Sequence, residues 1–325
     1  MPTEEVTMSA IRQPGKINGN TTLIDIGMQG VAGAVAVYLI DGGKKCLIDG
    51  GTRGEACQLV RTLKELDAFP PDIVIVTHAH YDHAQGIPRL RKEAARERKG
   101  IEVLASEKAI PLLADRSYND IFDAGPYEAI KDVTPVKEGD TVDLGGITLR
   151  IYEVPGHCTD HIAILDEKNR TIFVGDAIGI KFGDRTFLPP FMPPSCDPDA
   201  FRSSINKLKQ VDYESLCLAH FGYIYEDEAK SILDEAVSTF DTWWNLFKDN
   251  ADKLDKPDHM LDVVLKEIAP DIPEFRIVSL KTKVLWGLLT GWRKLVRKRP
   301  QPMGEFLLGQ LLVQLAAGYN AYKKQ

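Results

Sequence analysis

A chain of 325 residues that is 44% hydrophobic and 27% charged, with 26 Gly and 19 Pro, has the composition of an ordinary folded protein. That composition excludes a disordered chain, a collagen-like repeat or a disulfide-built miniprotein, and at ~150 residues per domain the length suggests about two domains, or one large domain with an appendage. Its 40 basic and 47 acidic residues leave a net charge of −7, which argues against nucleic-acid binding through overall charge.

Taken in chain order, the opening MPTEEVTMSAIRQPGK has no apolar core of a secretory signal. Residues 21–26, 34–40 and 45–49 read as strands, and Asp41-Gly42-Gly43 makes a hairpin turn between the last two. Leu59, Val60, Leu63 and Leu66 recur at helical spacing within 54–67. The continuous apolar run at 72–77 suits a buried strand, followed by a helix over 85–98 and a strand over 101–105. Helix or loop is expected up to residue 131. A hairpin over 140–154, strands over 161–166 and 171–176, a helix over 198–210 and a last strand over 215–220 complete this part.

Beyond Tyr225 the pattern turns helical, with Ile232, Ala236, Phe240, Trp243, Trp244 and Phe247 at helical intervals. Further helices are expected over 258–268, 272–298 and 302–324, broken at Pro270, Pro273 and Pro300 to Pro302. The expected organisation is therefore a catalytic part at 1–225 and a helical part at 226–325, serving as a lid or a substrate-binding element. Residues 281–300 hold seven Lys or Arg and no acid: a solvated helix face, or a handle for anionic groups. The apolar stretch 306–318 is interrupted by Gln310 and Gln314 and is too short to span a bilayer. The five cysteines form no C-x-x-C pair, so the expectation is a cytoplasmic protein with reduced thiols and no transmembrane segment.

The chemistry sits in Thr77-His78-Ala79-His80-Tyr81-Asp82-His83, directly after a buried strand, where α/β architectures place ligands. Three imidazoles and a carboxylate in six positions need compensation if buried, and a divalent metal provides it. On an extended loop His78 and His80 face one way and share an ion, while Asp82 and His83 reach a second. Further donors stand at later strand ends: His157, Asp176 and His220. Together they supply two ions, with His78, His80 and His157 on one, Asp82, His83 and His220 on the other, and Asp176 bridging.

With THAHYDH, PGHCTDH, FVGD and LAH in this order over about 21–225, the chain resembles the metallo-β-lactamase superfamily of binuclear hydrolases. The resemblance implies an α+β fold, the four-layer αβ/βα sandwich, with metals at the sheets' edges and all seven ligand positions of the hydroxyacylglutathione-hydrolase type. His80 stands where flavodiiron proteins carry an acid, and Asp82 where many β-lactamases carry Cys. Lactonases of quorum signals place Tyr three residues past the bridging aspartate, where this chain has Gly179.

Two cations lower the pKa of a bridging water to about 7 or below, giving hydroxide that attacks a polarised carbonyl. Asp82 holds its ion and orients the nucleophile. Asp49 is expected either as a partner of a ligand histidine or as a cap of the next helix. His161 is expected behind the ligands, and Cys158 as a buried, inert thiol. Phe191 and Met192 border the cleft as a substrate wall or pack as core; Tyr81 and Tyr223 are candidate phenol donors. The expected function is hydrolysis of a small acyl compound, a thioester first and a lactone or carboxylic ester next, with Zn²⁺ before Fe²⁺ or Mn²⁺. The alternatives are a phosphodiesterase or a non-catalytic effector whose helices bind a partner. No nucleic acid is expected, and a homo-oligomer is left open.

Overall fold

Most apolar runs become strands covered on both faces. The computed structural model describes residues 9–181, 187–268 and 303–323. Its strands are β1 (Ala10–Ile11), β2 (Gly15–Lys16), β3 (Thr21–Asp25), β4 (Ala36–Asp41), β5 (Lys45–Ile48), β6 (Ile73–Val76), β7 (Glu102–Ser106), β8 (Val133–Val136), β9 (Thr141–Asp143), β10 (Thr148–Glu153), β11 (Ile162–Asp166), β12 (Thr171–Gly175), β13 (Ile180–Lys181), β14 (Phe187–Leu188), β15 (Ser215–Leu218) and β16 (Gly222–Tyr225). Its α-helices are α1 (Ala56–Glu65), α2 (Tyr81–Ala84), α3 (Ile87–Arg96), α4 (Ala109–Ala114), α5 (Pro198–Leu208), α6 (Glu228–Asp249), α7 (Pro257–Glu267) and α8 (Met303–Tyr322).

Two seven-stranded sheets result, ordered β2-β3-β4-β5-β6-β7-β8 and β1-β16-β15-β12-β11-β10-β9, beside the small pair β13-β14. The first is antiparallel from β2 to β5 and parallel from β5 to β8. In the second only β12 and β15 run parallel.

Alternation along β6 explains the layers. Ile73 and Ile75 point into a core shared with Ile151, Ile164 and Phe173 of the second sheet. Val74 and Val76 point the other way, onto Leu59 and Leu63 of α1 and Leu90 of α3. On the far side of the second sheet, Ile172, Val174 and Leu216 pack with Phe201 of α5, Phe240 of α6, Val264 of α7 and Leu315 of α8. The order helix, sheet, sheet, helix is the four-layer sandwich. Each such side chain contributes about 1.5–3 kcal/mol on burial. Local signals set the ends: Asp197 caps α5 by accepting from the amides of Asp199 and Ala200 at 2.9 and 3.0 Å, with Pro198 in its first turn.

Several details differ from the sequence expectation. The metal-loop reading took 78–83 as extended, but Tyr81–Ala84 forms the helical turn α2, with His80 still extended before it. The expected helix over 85–98 therefore starts at Ile87. The stretch to residue 131 holds only α4 and a 3-10 turn over Asp120–Phe122. The edge strand β8 contains Pro135, which breaks the strand pattern in the sequence and is tolerated only at an edge. The expected helix over 272–298 and the basic segment 281–300 lie outside the described residues.

Candidate metal centre

Four strand ends converge. The 78–83 segment leaves the carboxyl end of β6, His157 follows β10, Asp176 follows β12 and His220 follows β15. His78 Nε2 and His157 Nε2 each lie 3.0 Å from His80 Nδ1. Asp176 Oδ2 stands 4.0 Å from His78 Nε2, 3.7 Å from His157 Nε2, 3.4 Å from His83 Nε2 and 3.5 Å from His220 Nε2. Asp82 Oδ2 is 3.3 Å from His220 Nε2, and Asp82 Oδ1 is 3.7 Å from His83 Nε2. All seven expected donors thus meet, with Asp176 between a His78–His80–His157 set and an Asp82–His83–His220 set. Tetrahedral zinc with bonds of about 2.0–2.1 Å needs donors about 3.3 Å apart, which these spacings approach. His78, His83 and His157 are buried, and the Asp82 carboxylate, 14% exposed, is the most open donor.

The hydrogen bonds behind the imidazoles fix which nitrogen is bare. His157 Nδ1 donates to the Pro190 carbonyl at 3.0 Å, His220 Nδ1 to the Ala34 carbonyl at 2.5 Å and His83 Nδ1 to Asp49 Oδ2 at 2.8 Å. The Thr77 hydroxyl gives its hydrogen to Asp49 Oδ2 at 2.9 Å, so it can only accept from His78 Nδ1 at 3.1 Å. With Nδ1 so engaged, the four inward Nε2 atoms are the ones left to bind a metal, the arrangement that metal-binding histidines adopt. Buried among these groups, His83 Nε2 and Asp176 Oδ1 have no hydrogen-bond partner. A divalent cation satisfies all of them at once, so the residues present fit a metal pair.

Electrostatics separates the two sets. Burial first, then neighbouring imidazoles, pushes His78 and His80 well below the usual histidine range; burial also lowers His157. In the other set burial opposes charge but loses. His220 rises to about 10 against its burial because Asp176 and Asp82 face it, and His83 rises likewise beside Asp176, Asp82 and Asp49. Asp82, which burial alone would raise, is held at about 2 by His83 and His220. Burial would also raise Asp176, and His220 and His83 hold it well below the carboxylate range. One set is neutral and nitrogen-rich; the other holds its carboxylates ionised by protons that an arriving cation would displace.

Asp49 does not cap α1; both its oxygens serve the site, accepting from the Thr77 amide at 2.7 Å, from the Thr77 hydroxyl and from His83. His161 stacks on His78 at 4.6 Å between ring centres, and its Nε2 accepts from the Asp176 amide at 3.1 Å. Gly175, at φ 52°, allows that approach: a Cβ there would sit 2.8 Å from the His161 ring and 3.0 Å from Thr77. The Cys158 thiol lies within 4.8 Å of the donors of the first set, and burial, then Asp160, keeps it protonated.

Of the two roles open to Phe191 and Met192 in the sequence, the packing is that of core. Phe191 is buried against Phe240, Trp244 and Phe247, so it packs as core and lines no opening. Met192 is half-buried against the same cluster. Tyr223 stacks on Tyr225 and lies beside Ser215, at the end of β15 opposite His220. Around Tyr81, next to the partly exposed Asp82, stand two rings that sequence reasoning passed over. Phe122 meets His80 edge-on at 5.0 Å and Tyr81 at 5.5 Å, and Tyr127 stands 6.1 Å from Tyr81. Two further buried groups were missed: Asp160 accepts from the Ala79 amide at 2.8 Å, and Asn119 donates to the Ala79 carbonyl at 3.0 Å. The D in PGHCTDH was the available signal for Asp160; Asn119 and Phe122 sit in an irregular segment that carries none.

Comparison with known proteins agrees with this geometry. The sequence profile of the Metallo-beta-lactamase superfamily matches residues 30–220. A hydroxyacylglutathione hydrolase of Methylobacterium nodulans is 34% identical over 125 residues, 38% of this chain and 40% of that protein. The lactamase-like protein adaB of Aspergillus niger is 33% identical over 144 residues, 43% of this chain and 38% of its own. The matches thus span about two-fifths of these relatives' length. Among solved structures, a metallo-beta-lactamase from Pontibacter korlensis superimposes with a TM-score of 0.54 at 18% identity, covering 71% of this chain and 99% of that one. A B3 metallo-beta-lactamase with an active-site glutamic acid gives 0.55 at 22% identity, covering 72% and 91%. At such identities the likeness is one of fold.

Proposed function

The chain belongs to the metallo-β-lactamase superfamily, and on that premise we propose that it hydrolyses small acyl compounds, thioesters foremost and lactones or carboxylic esters next. The observation that carries this reading is the pair of donor sets sharing Asp176, with Asp82 at the open side. His78, His80 and His157 would hold one divalent ion and Asp82, His83 and His220 the other, with Asp176 serving both. Zn²⁺ suits these nitrogen and oxygen donors best, and Fe²⁺ or Mn²⁺ also fits. Bound there, the ions supply the positive charge that acidifies water and polarises a carbonyl.

The residues do the rest. Asp82, ionised and partly exposed, accepts the hydrogen bond that orients the attacking water. Asp49 and the backbone carbonyls of Pro190 and Ala34 hold three imidazoles in their tautomers, so no reorganisation is needed during reaction. Tyr81, Phe122 and Tyr127 provide the surface against which an acyl group lies. Residues 1–225 carry the chemistry, and the part beyond them serves as a lid or a substrate-binding element.

Incubating metal-loaded protein with S-lactoylglutathione, acyl-coenzyme A, lactones and bis-p-nitrophenyl phosphate tests the reading. Thioester turnover that disappears in His80→Ala is expected. Activity on the phosphodiester alone would overturn it.

A further inference from the structure

The helix farthest along the chain touches the support of a metal-site histidine. Pro190 O accepts from His157 Nδ1 at 3.0 Å and also from the Met192 amide at 3.0 Å. Opposite that short turn lies Gly318 of α8. A Cβ added at Gly318 would come within 2.6 Å of the Phe191 carbonyl carbon and oxygen and 2.9 Å of the Met192 nitrogen. These are backbone atoms, so the contact cannot be relieved by turning a flexible side chain. The surroundings fix both partners: the Phe191 ring lies 4.7 Å from Phe240 and 5.3 Å from Trp244, and Trp244 lies 4.7 Å from Tyr319, the residue after Gly318.

We propose that Gly318 is a positioning residue for the first metal-binding set: by bringing the α8 backbone against 191–192, it seats the Pro190 carbonyl that holds His157 in its metal-binding tautomer. The inference rests on the reading of His157 as a ligand. It gives the helical part of the chain a role in the site without a side chain of α8 entering it. The donor that results is specific: the other imidazole resting on a backbone carbonyl, His220, is held by Ala34 on the loop before β4, remote in sequence from α8.

Gly318→Ala separates this role from a merely structural one, because a general loosening of the fold would weaken both ions alike. Loss of a partner behind a metal-bound histidine typically weakens metal affinity about 10- to 100-fold. With the full chain titrated with Co²⁺ against a chelator, Gly318→Ala is expected to bind its first ion at least about tenfold more weakly. The Asp82–His83–His220 ion should hold although the overpacked contact lowers the thermal midpoint, and Asn320→Ala, on the exposed side of α8, should match the parent. The His157 Nδ1–H resonance, read by NMR in metal-free protein, should move in Gly318→Ala and not in Asn320→Ala. If Gly318→Ala fails to fold, Phe191→Leu, which loosens the same turn from α6, should move that resonance in its place. Parent-like Co²⁺ affinity together with an unmoved resonance overturns the inference and leaves the metal reading intact. A parent that binds no divalent ion overturns the metal reading, and the resonance still decides the link from α8 to Pro190.

Discussion

The donors of the 78–83 segment and the three donors that follow later in the chain are held in different ways. In the first region side chains do the holding: Asp49 takes His83 and Thr77, Thr77 takes His78, and Asp160 and Asn119 pin the Ala79 peptide between the two leading histidines. In the second region His157 and His220 rest on main-chain carbonyls, Pro190 and Ala34. A side-chain support can be removed by one substitution. A carbonyl can be moved only by repacking what lies behind it. The first region should therefore be sensitive at its supports, and the second at packing contacts far from the metals.

The largest effect should come from the residue that joins the two regions. Asp176 Oδ2 lies 3.4–4.0 Å from four imidazole nitrogens of both sets. Asp176→Ala should cost both ions and bring turnover to that of chelator-treated protein, as metal analysis and steady-state assay would check. If one ion stays at parental affinity, the two sets are less joined than their geometry.

Next comes Asp49→Asn, which changes charge and donor pattern but scarcely size. The amide oxygen can still accept from the Thr77 amide, but the amide nitrogen then faces Thr77 Oγ1 and His83 Nδ1, both donors in the native network. His83 loses its acceptor and can shift its proton to Nε2, the atom needed inward. A 10- to 100-fold weaker ion at the Asp82–His83–His220 set is expected, with the first set less affected, measured by Co²⁺ absorption. Equal weakening of both sets would mean that Asp49 acts through Thr77 on His78 as strongly as on His83.

This division also marks what the sequence could tell. THAHYDH was legible because its donors are contiguous and follow a buried strand. His157, Asp176 and His220 were legible as strand ends, and the β10, β12 and β15 termini do bring them to one place. Asp49 was left between two roles, since a carboxylate before Gly50-Gly51 could serve either, and only the parallel pairing of β5 with β6 puts it beside Thr77. Phe191 too is open between two roles in the sequence, substrate wall or core. Its burial under α6 makes it core, whereas Phe122 and Tyr127, near Tyr81, come from a stretch with no periodicity. Helical turn α2 was hidden for a related reason: four residues are too few to show a period.

A smaller effect belongs to Asp160. Its Oδ2 accepts from the Ala79 amide while burial, its main influence, raises its pKa. Asp160→Asn keeps an acceptor for that amide and should be tolerated. Asp160→Leu leaves a buried donor unpaired and should lower unfolding free energy by about 1–3 kcal/mol, read by urea denaturation. Two variants of equal stability would show that the Ala79 peptide finds another partner.

Smallest should be Phe122→Ala, because its ring supplies neither a metal donor atom nor a hydrogen bond to one. Phe122 meets His80 edge-on at 5.0 Å and Tyr81 at 5.5 Å, and is only half-buried. Aromatic pairs of this kind are worth about 0.5–1.5 kcal/mol beyond their area, which corresponds to about two- to tenfold in binding. If the ring forms the acyl surface, that loss falls on KM for a phenylacetyl thioester and spares an acetyl thioester with the same leaving group. If the ring instead braces His80, kcat falls alike for both and bound metal falls with it. The ratio of the two substrates' kcat/KM therefore distinguishes a wall of the opening from one more side-chain support of the 78–83 segment, which is the property that sets this region apart from the carbonyl-held donors.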